Sequence, residues 1–114
     1  MKAEEGRPLS GEELKLRLVD KTVYGEYLGG FRFISYFALD GTMEGRNHVG
    51  CHNRGVWSID AVEGALSVEW DNGWDRTTTR AYEVEGQIRF YDSDTGRWRQ
   101  TLHTIVDGRL PLNV

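Results

Sequence analysis

Residues 64–91 read GALSVEWDNGWDRTTTRAYEVEGQIRFY, and this stretch decides the fold. Leu66, Val68 and Trp70 fall on one side of a two-residue period, with Ser67 and Glu69 on the other. Ile88 and Phe90 likewise face away from Arg89 and Tyr91. Alternation of this kind marks a strand with one face in a core. The segments are separated by Asn72-Gly73 and Glu85-Gly86. Such dipeptides supply the positive φ that tight hairpins need.

The same rhythm extends in both directions. The alternating segments are Thr22–Leu28, Phe31–Phe37, Thr42–Asn47, Arg54–Ile59, Ala65–Trp70, Arg76–Val84, Gln87–Tyr91 and Arg97–Val106. Gly29-Gly30, Asp40-Gly41, Glu63-Gly64 and Thr95-Gly96 punctuate the rest. The third connection differs: His48-Val49-Gly50-Cys51-His52-Asn53 is longer and polar. In the last segment, strict alternation puts Trp98, Gln100, Leu102, Thr104 and Val106 on one face, and Arg97, Arg99, Thr101 and His103 on the other.

Eight successive strands with short links make an antiparallel meander. Left open, it has two exposed edges; closed into a barrel, it has none. A flattened sandwich is the competing geometry. Upstream, Ser10 precedes Gly11-Glu12-Glu13, so Ser10 and Glu13 have the spacing of a capping box. Leu14, Leu18 and Val19 follow at helical spacing, which predicts one short helix over Gly11 to Val19, able to plug one barrel end. The expectation is all-β: an eight-stranded antiparallel up-and-down barrel with one short N-terminal helix. Residues 1–9 read as a flexible tail and residues 10–114 as a single domain.

Composition agrees. Fourteen glycines in 114 residues is well above the average share of about 7%. Four Trp, five Tyr and four Phe accompany only two prolines, a balance that suits strands and tight turns. The length suits one domain and leaves no room for a TIM barrel or a full dinucleotide-binding fold. A formal net charge of −4 argues against a general nucleic-acid binder. No apolar run approaches the length of a spanning helix, and residues 1–7 lack the apolar core of a signal peptide. The chain as written reads as cytoplasmic, or as periplasmic if a signal peptide has been removed. Cys51 is the single cysteine, so no intrachain disulfide forms.

The run Gly55-Val56-Trp57-Ser58-Ile59-Asp60, followed by Gly64-Ala65-Leu66-Ser67-Val68-Glu69-Trp70, resembles a stretch of small lipocalin-like bacterial domains of unknown function. Thr22-Val23-Tyr24-Gly25, Tyr36 through Thr42, and Phe90-Tyr91-Asp92 are similar to the same group, so the resemblance covers about Leu9 to Val106. It implies a calycin-type barrel and no particular activity.

Several residues could carry chemistry. Eight strands can enclose one small ligand, and Tyr24, Phe33, Tyr36, Trp57, Trp70 and Trp98 are the candidate ligand-binding residues. Aromatic bodies with polar tips can orient such a ligand; the blander reading is core packing. Trp74, at a hairpin tip, could close a barrel mouth or touch a partner. Tyr24, Glu44, Arg46 and His103 are the candidates for acid–base catalysis, against the plainer reading of surface ion pairs. His48, Cys51 and His52 carry transition-metal donors but lack paired C-x-x-C spacing, so no metal site is assigned to them. A histidine-ligated haem, or a Cys51 nucleophile with His48 or His52 as base, has even less support. Arg97-Trp98-Arg99 interleaves base and aromatic, but Asp92 and Asp94 stand beside it.

The expected function is therefore a small-molecule binding protein that holds an apolar or aromatic ligand inside the barrel. No cofactor, nucleic acid or membrane span is expected, and a homodimer is left open. The alternative is a small barrel enzyme (lyase, isomerase, hydratase or cyclase) using His, Tyr, Arg and Glu in the same cavity. A third reading is a partner-binding module whose barrel is filled by side chains. Whether the protein is an enzyme stays open at this point.

Overall fold

A computed structural model describes residues 6–71 and 76–111. In chain order the elements are β1 (Arg7–Pro8), α1 (Gly11–Leu18), β2 (Lys21–Tyr27), β3 (Arg32–Phe37), β4 (Thr42–Asn47), β5 (His52–Ile59), β6 (Ala65–Trp70), β7 (Arg76–Val84), β8 (Gln87–Asp92) and β9 (Trp98–Asp107). Strands β2 through β9 each pair antiparallel with the next, and β9 returns to pair with β2. The eight strands form the closed barrel that the meander implied, consistent with a calycin-like architecture.

The turns follow from their residues. Gly41, Gly64, Gly86 and Gly96 all take positive φ. At Gly86 (φ +82) an L side chain would be strained even though space is open around it. The hairpin tip at Asn72-Gly73-Trp74 lies outside the described residues.

Helix α1 closes one end of the barrel. Its start is the capping box expected: the Glu13 N–H donates to Ser10 Oγ and the Ser10 N–H donates to Glu13 Oε1, each at 3.1 Å. Leu14 and Leu18 are fully buried, and burying two such side chains contributes roughly 1.5–3 kcal/mol each. Gly11 lies so close to the β5–β6 turn that a Cβ there would sit 2.7 Å from Asp60 O and Ala61 Cα. The core continues through Val23, Phe33, Phe37, Met43, Leu66, Ile88, Phe90 and Leu102.

Two segments extend beyond the expected barrel. Arg7 and Pro8, placed in the tail by sequence, pair with Glu83 and Tyr82 of β7. The Leu9 N–H donates to Ala81 O at 3.0 Å, and Leu9 is buried. β6 stops opposite Arg80, so this arm covers the length of β7 that β6 leaves bare. At the other terminus, residues 108–110 fold back over β2: Thr22 Oγ1 donates to Gly108 O at 2.7 Å and accepts from the Leu110 N–H at 3.0 Å. Arg109 bonds Glu44 and lies over the Tyr36 ring.

β9 departs from strict alternation. Opposite β8, Phe90 faces Gln100 and Tyr91 faces Trp98, so Arg99 is passed over. Opposite β2, Gly25 faces Leu102 and Tyr24 faces Thr104, so His103 is passed over. Each is a β-bulge, an extra residue that shifts the alternation by one. Gln100 and Leu102 face inward as expected. Trp98, Thr104 and Val106 do not share their face, and Ile105 packs on the core instead.

Candidate functional site

The turn at 28–31, the loop at 48–51 and the turn at 93–97 gather at the end opposite α1. No described element crosses this mouth. A cavity of about 40 Å³ reaches inward from it, lined by Val23, Tyr27, Phe33, Ser35, Phe37, Met43, Leu66, Val68, Trp70, Thr77, Phe90, Gln100 and Leu102. Ser35, Thr77 and Gln100 supply its polar side chains.

The large rings fit because glycines stand across from them. A Cβ on Gly45 would lie 2.5 Å from Trp70 Cη2, and one on Gly55 would lie 3.2 Å from Trp70 Cε3. Likewise a Cβ on Gly25 would lie 2.8 Å from Phe33 Cζ. Inward-facing glycines on β2, β4 and β5 therefore make the hollows in which Phe33 and Trp70 lie. Tyr27 packs against Phe33 with ring centroids 4.7 Å apart.

Beside the cavity runs an open groove of about 390 Å³, lined by Tyr27, Leu28, Asp92, Thr95, Arg97, Trp98 and Arg99. Tyr27 belongs to both. The Asp92 carboxylate accepts from the Thr95 N–H at 3.0 Å and the Asp94 N–H at 2.8 Å. Those bonds hold it below the usual carboxylate range. Its other oxygen lies 3.6 Å from Arg99 Nη1. Three apolar side chains on the rim, Leu28, Phe31 and Val49, are exposed, and Phe31 packs on the His48 ring at 4.7 Å.

The sequence candidates divide. Phe33 and Trp70 line the cavity, and Trp98 lines the groove with Arg89 over its ring at 4.5 Å. Trp57 faces inward but nearer the closed end, edge-on to Phe37, with its indole N–H donating to Ala38 O at 3.0 Å. Tyr24 and Tyr36 alternate with the inward-facing Val23, Gly25, Ser35 and Phe37, so they face outward; the Tyr36 hydroxyl donates to Asp20 Oδ1. That bond is the main reason its pKa is raised.

The four acid–base candidates are not gathered in the cavity. Tyr24, Glu44 and Arg46 stand on the outer wall, where Glu44 bonds Arg109, and His103 is exposed on its bulge beside Thr104 Oγ1. Cys51 is exposed, as is His52, and His48 lies against Phe31. Among the described residues, no group of three His, Cys, Asp or Glu side chains comes together to hold a metal. No helix among them is long and apolar enough to cross a membrane. Trp74 lies outside the described residues.

Sequence reasoning missed Tyr27, Ser35, Thr77 and Gln100 as lining residues. Alternation could have found all four, since Tyr27 shares a face with Val23, Ser35 with Phe33, Thr77 with Thr79 and Gln100 with Leu102. No known family model matches the chain, and no curated protein or solved structure matches it either.

Proposed function

We propose that the protein is a small-molecule binding barrel of the lipocalin-like bacterial type that its turn and core motifs resemble. The ligand is small, with an apolar or aromatic part, and enters at the end opposite α1. One observation carries this reading: a cavity at that mouth combines the faces of Phe33 and Trp70 with the polar groups of Ser35, Thr77 and Gln100. Mostly apolar walls with a few convergent polar groups are the usual character of ligand sites.

The size constrains the ligand. Drug-sized molecules occupy pockets of roughly 300–1,000 Å³, whereas a water requires roughly 10–15 Å³. A cavity of about 40 Å³ takes only a few heavy atoms, so the part of the ligand it holds is small.

The partner-binding reading has its own support in the small cavity and in the exposed Leu28, Phe31 and Val49 on the rim. The acid–base reading has less, because its four candidates are dispersed over the outer wall. Titration of the folded protein with small alcohols and acids, followed by NMR of the Trp70 indole N–H and the Gln100 amide, tests the proposal. Saturable shifts confined to the cavity lining are expected. Shifts confined to the rim, with the cavity unmoved, would favour the partner-binding module.

A further inference from the structure

We propose that the part of the ligand held in the cavity is an uncharged head that both donates and accepts hydrogen bonds, a hydroxyl or a carboxamide. This rests on the binding reading above and names the class of ligand it takes. Among the described residues that line the cavity there is no carboxylate, amine, guanidinium or imidazole. Its walls are apolar side chains such as Phe37, Met43, Phe90 and Leu102, all buried in the core. An ion brought into such a space gives up its water and meets no opposite charge, whereas a neutral head loses far less.

The polar groups of the lining are unpaired. Among the described residues, the side chains of Ser35, Thr77 and Gln100 have no hydrogen-bond partner, although Ser35 is only 5% exposed. The register of the sheet explains this. The cross-strand neighbours of Ser35 are Val23 and Gly45, that of Thr77 is Val68, and those of Gln100 are Tyr27 and Phe90. Val23, Gly45, Val68 and Phe90 have no side-chain group able to bond them. In the ring of eight strands β3 stands across from β7, with β9 between them, so the three groups reach one space from different sides. Each of the three can donate and accept, so a head that does both satisfies more of them than one that does either alone. A molecule that takes the place of water in this space must supply the bonds that water would make. At about 40 Å³ the cavity has room for roughly three water-sized atoms, the bulk of a carboxamide.

The probes are 1-butanol and butanamide, set against butanoate, butylammonium and 1-chlorobutane at neutral pH. Binding is read from the Ser35 backbone amide, the Gln100 side-chain amide and the Trp70 indole N–H. The alcohol and the amide are expected to bind about tenfold or more tightly than either ion. They should bind about threefold to tenfold more tightly than 1-chlorobutane, the contribution of one neutral hydrogen bond. These comparisons need no variant. Ser35→Ala and Gln100→Met should each remove most of the advantage over 1-chlorobutane, while 1-chlorobutane itself binds as it does to the parent. Butanoate or butylammonium binding as tightly as butanamide would overturn the uncharged head. 1-Chlorobutane binding as tightly as 1-butanol, or an advantage that survives both substitutions, would overturn the hydrogen-bonding head. Either result leaves the binding reading standing. If none of the five probes moves these signals, the binding reading falls and takes this inference with it.

Discussion

Trp70 lies flat in the barrel because Gly45 and Gly55 leave room for its ring. Gly45→Ala puts a methyl group into that ring. Overpacking of this kind costs about 1–3 kcal/mol, so the variant should unfold at lower denaturant concentration, and its tryptophan emission should shift as the ring moves. An unchanged midpoint and spectrum would mean that the ring is not held there. Tyr91 poses the reverse case. Its hydroxyl is buried and has no protein partner among the described residues, while its ring packs edge-on against Tyr82 at 5.4 Å. Removing a buried, unbonded hydroxyl is neutral or stabilising. Tyr91→Phe should therefore match or exceed the parent in stability, by up to about 1 kcal/mol, and a loss would reveal a hidden partner. Alternation was enough to place Trp70 inside. That Gly45 and Gly55 stand across from it was not legible, because register between strands is set by packing and turn geometry.

Single elements show where local rules suffice. The helix start was readable from Ser10 and Glu13, since a capping box is made by residues three apart. Ser10→Ala should cost about 1 kcal/mol in a denaturant melt. β9 was misread over part of its length because a bulge is a property of a strand pair: Arg99 and His103 have no local mark that they are extra. The arm β1 was likewise unreadable, for a two-residue strand has no period. Glu83 anchors it, bonding Arg7 at 2.8 Å and Arg17 at 3.3 Å, while Arg7 also bonds Glu13 at 2.7 Å. The bond from Arg7 is the leading cause that holds both carboxyl groups below their ordinary range. A carboxylate whose folded pKa is depressed adds stability above its unfolded pKa and loses it as pH falls through the folded value. The melting temperature should therefore decline below about pH 4. Glu83→Gln should melt lower at neutral pH and decline less steeply in acid; parallel curves would show that Glu83 does not report on the docking of the arm.

At the scale of the whole molecule, the closed sheet was legible from the count of segments, since eight strands must either expose two edges or close. The site was only partly legible. Phe33 and Trp70 followed from alternation, but the cavity volume depends on how the side chains pack, and the groove depends on a bulge. Closure also sets the folding rate. The pairing of β2 with β9 joins the two ends of the meander, so the barrel cannot form from local contacts alone. Refolding should take milliseconds to seconds, as in other all-β domains dominated by distant pairings. Stopped-flow tryptophan fluorescence measures this, and completion within microseconds would contradict it.

The back-folded residues 108–110 and the arm at Arg7 lie toward the end that α1 closes. Both ends of the described chain thus leave the barrel on the side away from Tyr27 and Arg99. A bead, a surface or a second domain attached at either end would hold the molecule with its mouth turned outward into solution. An attachment made beside Arg7 or Leu110 would therefore leave the opening unshaded.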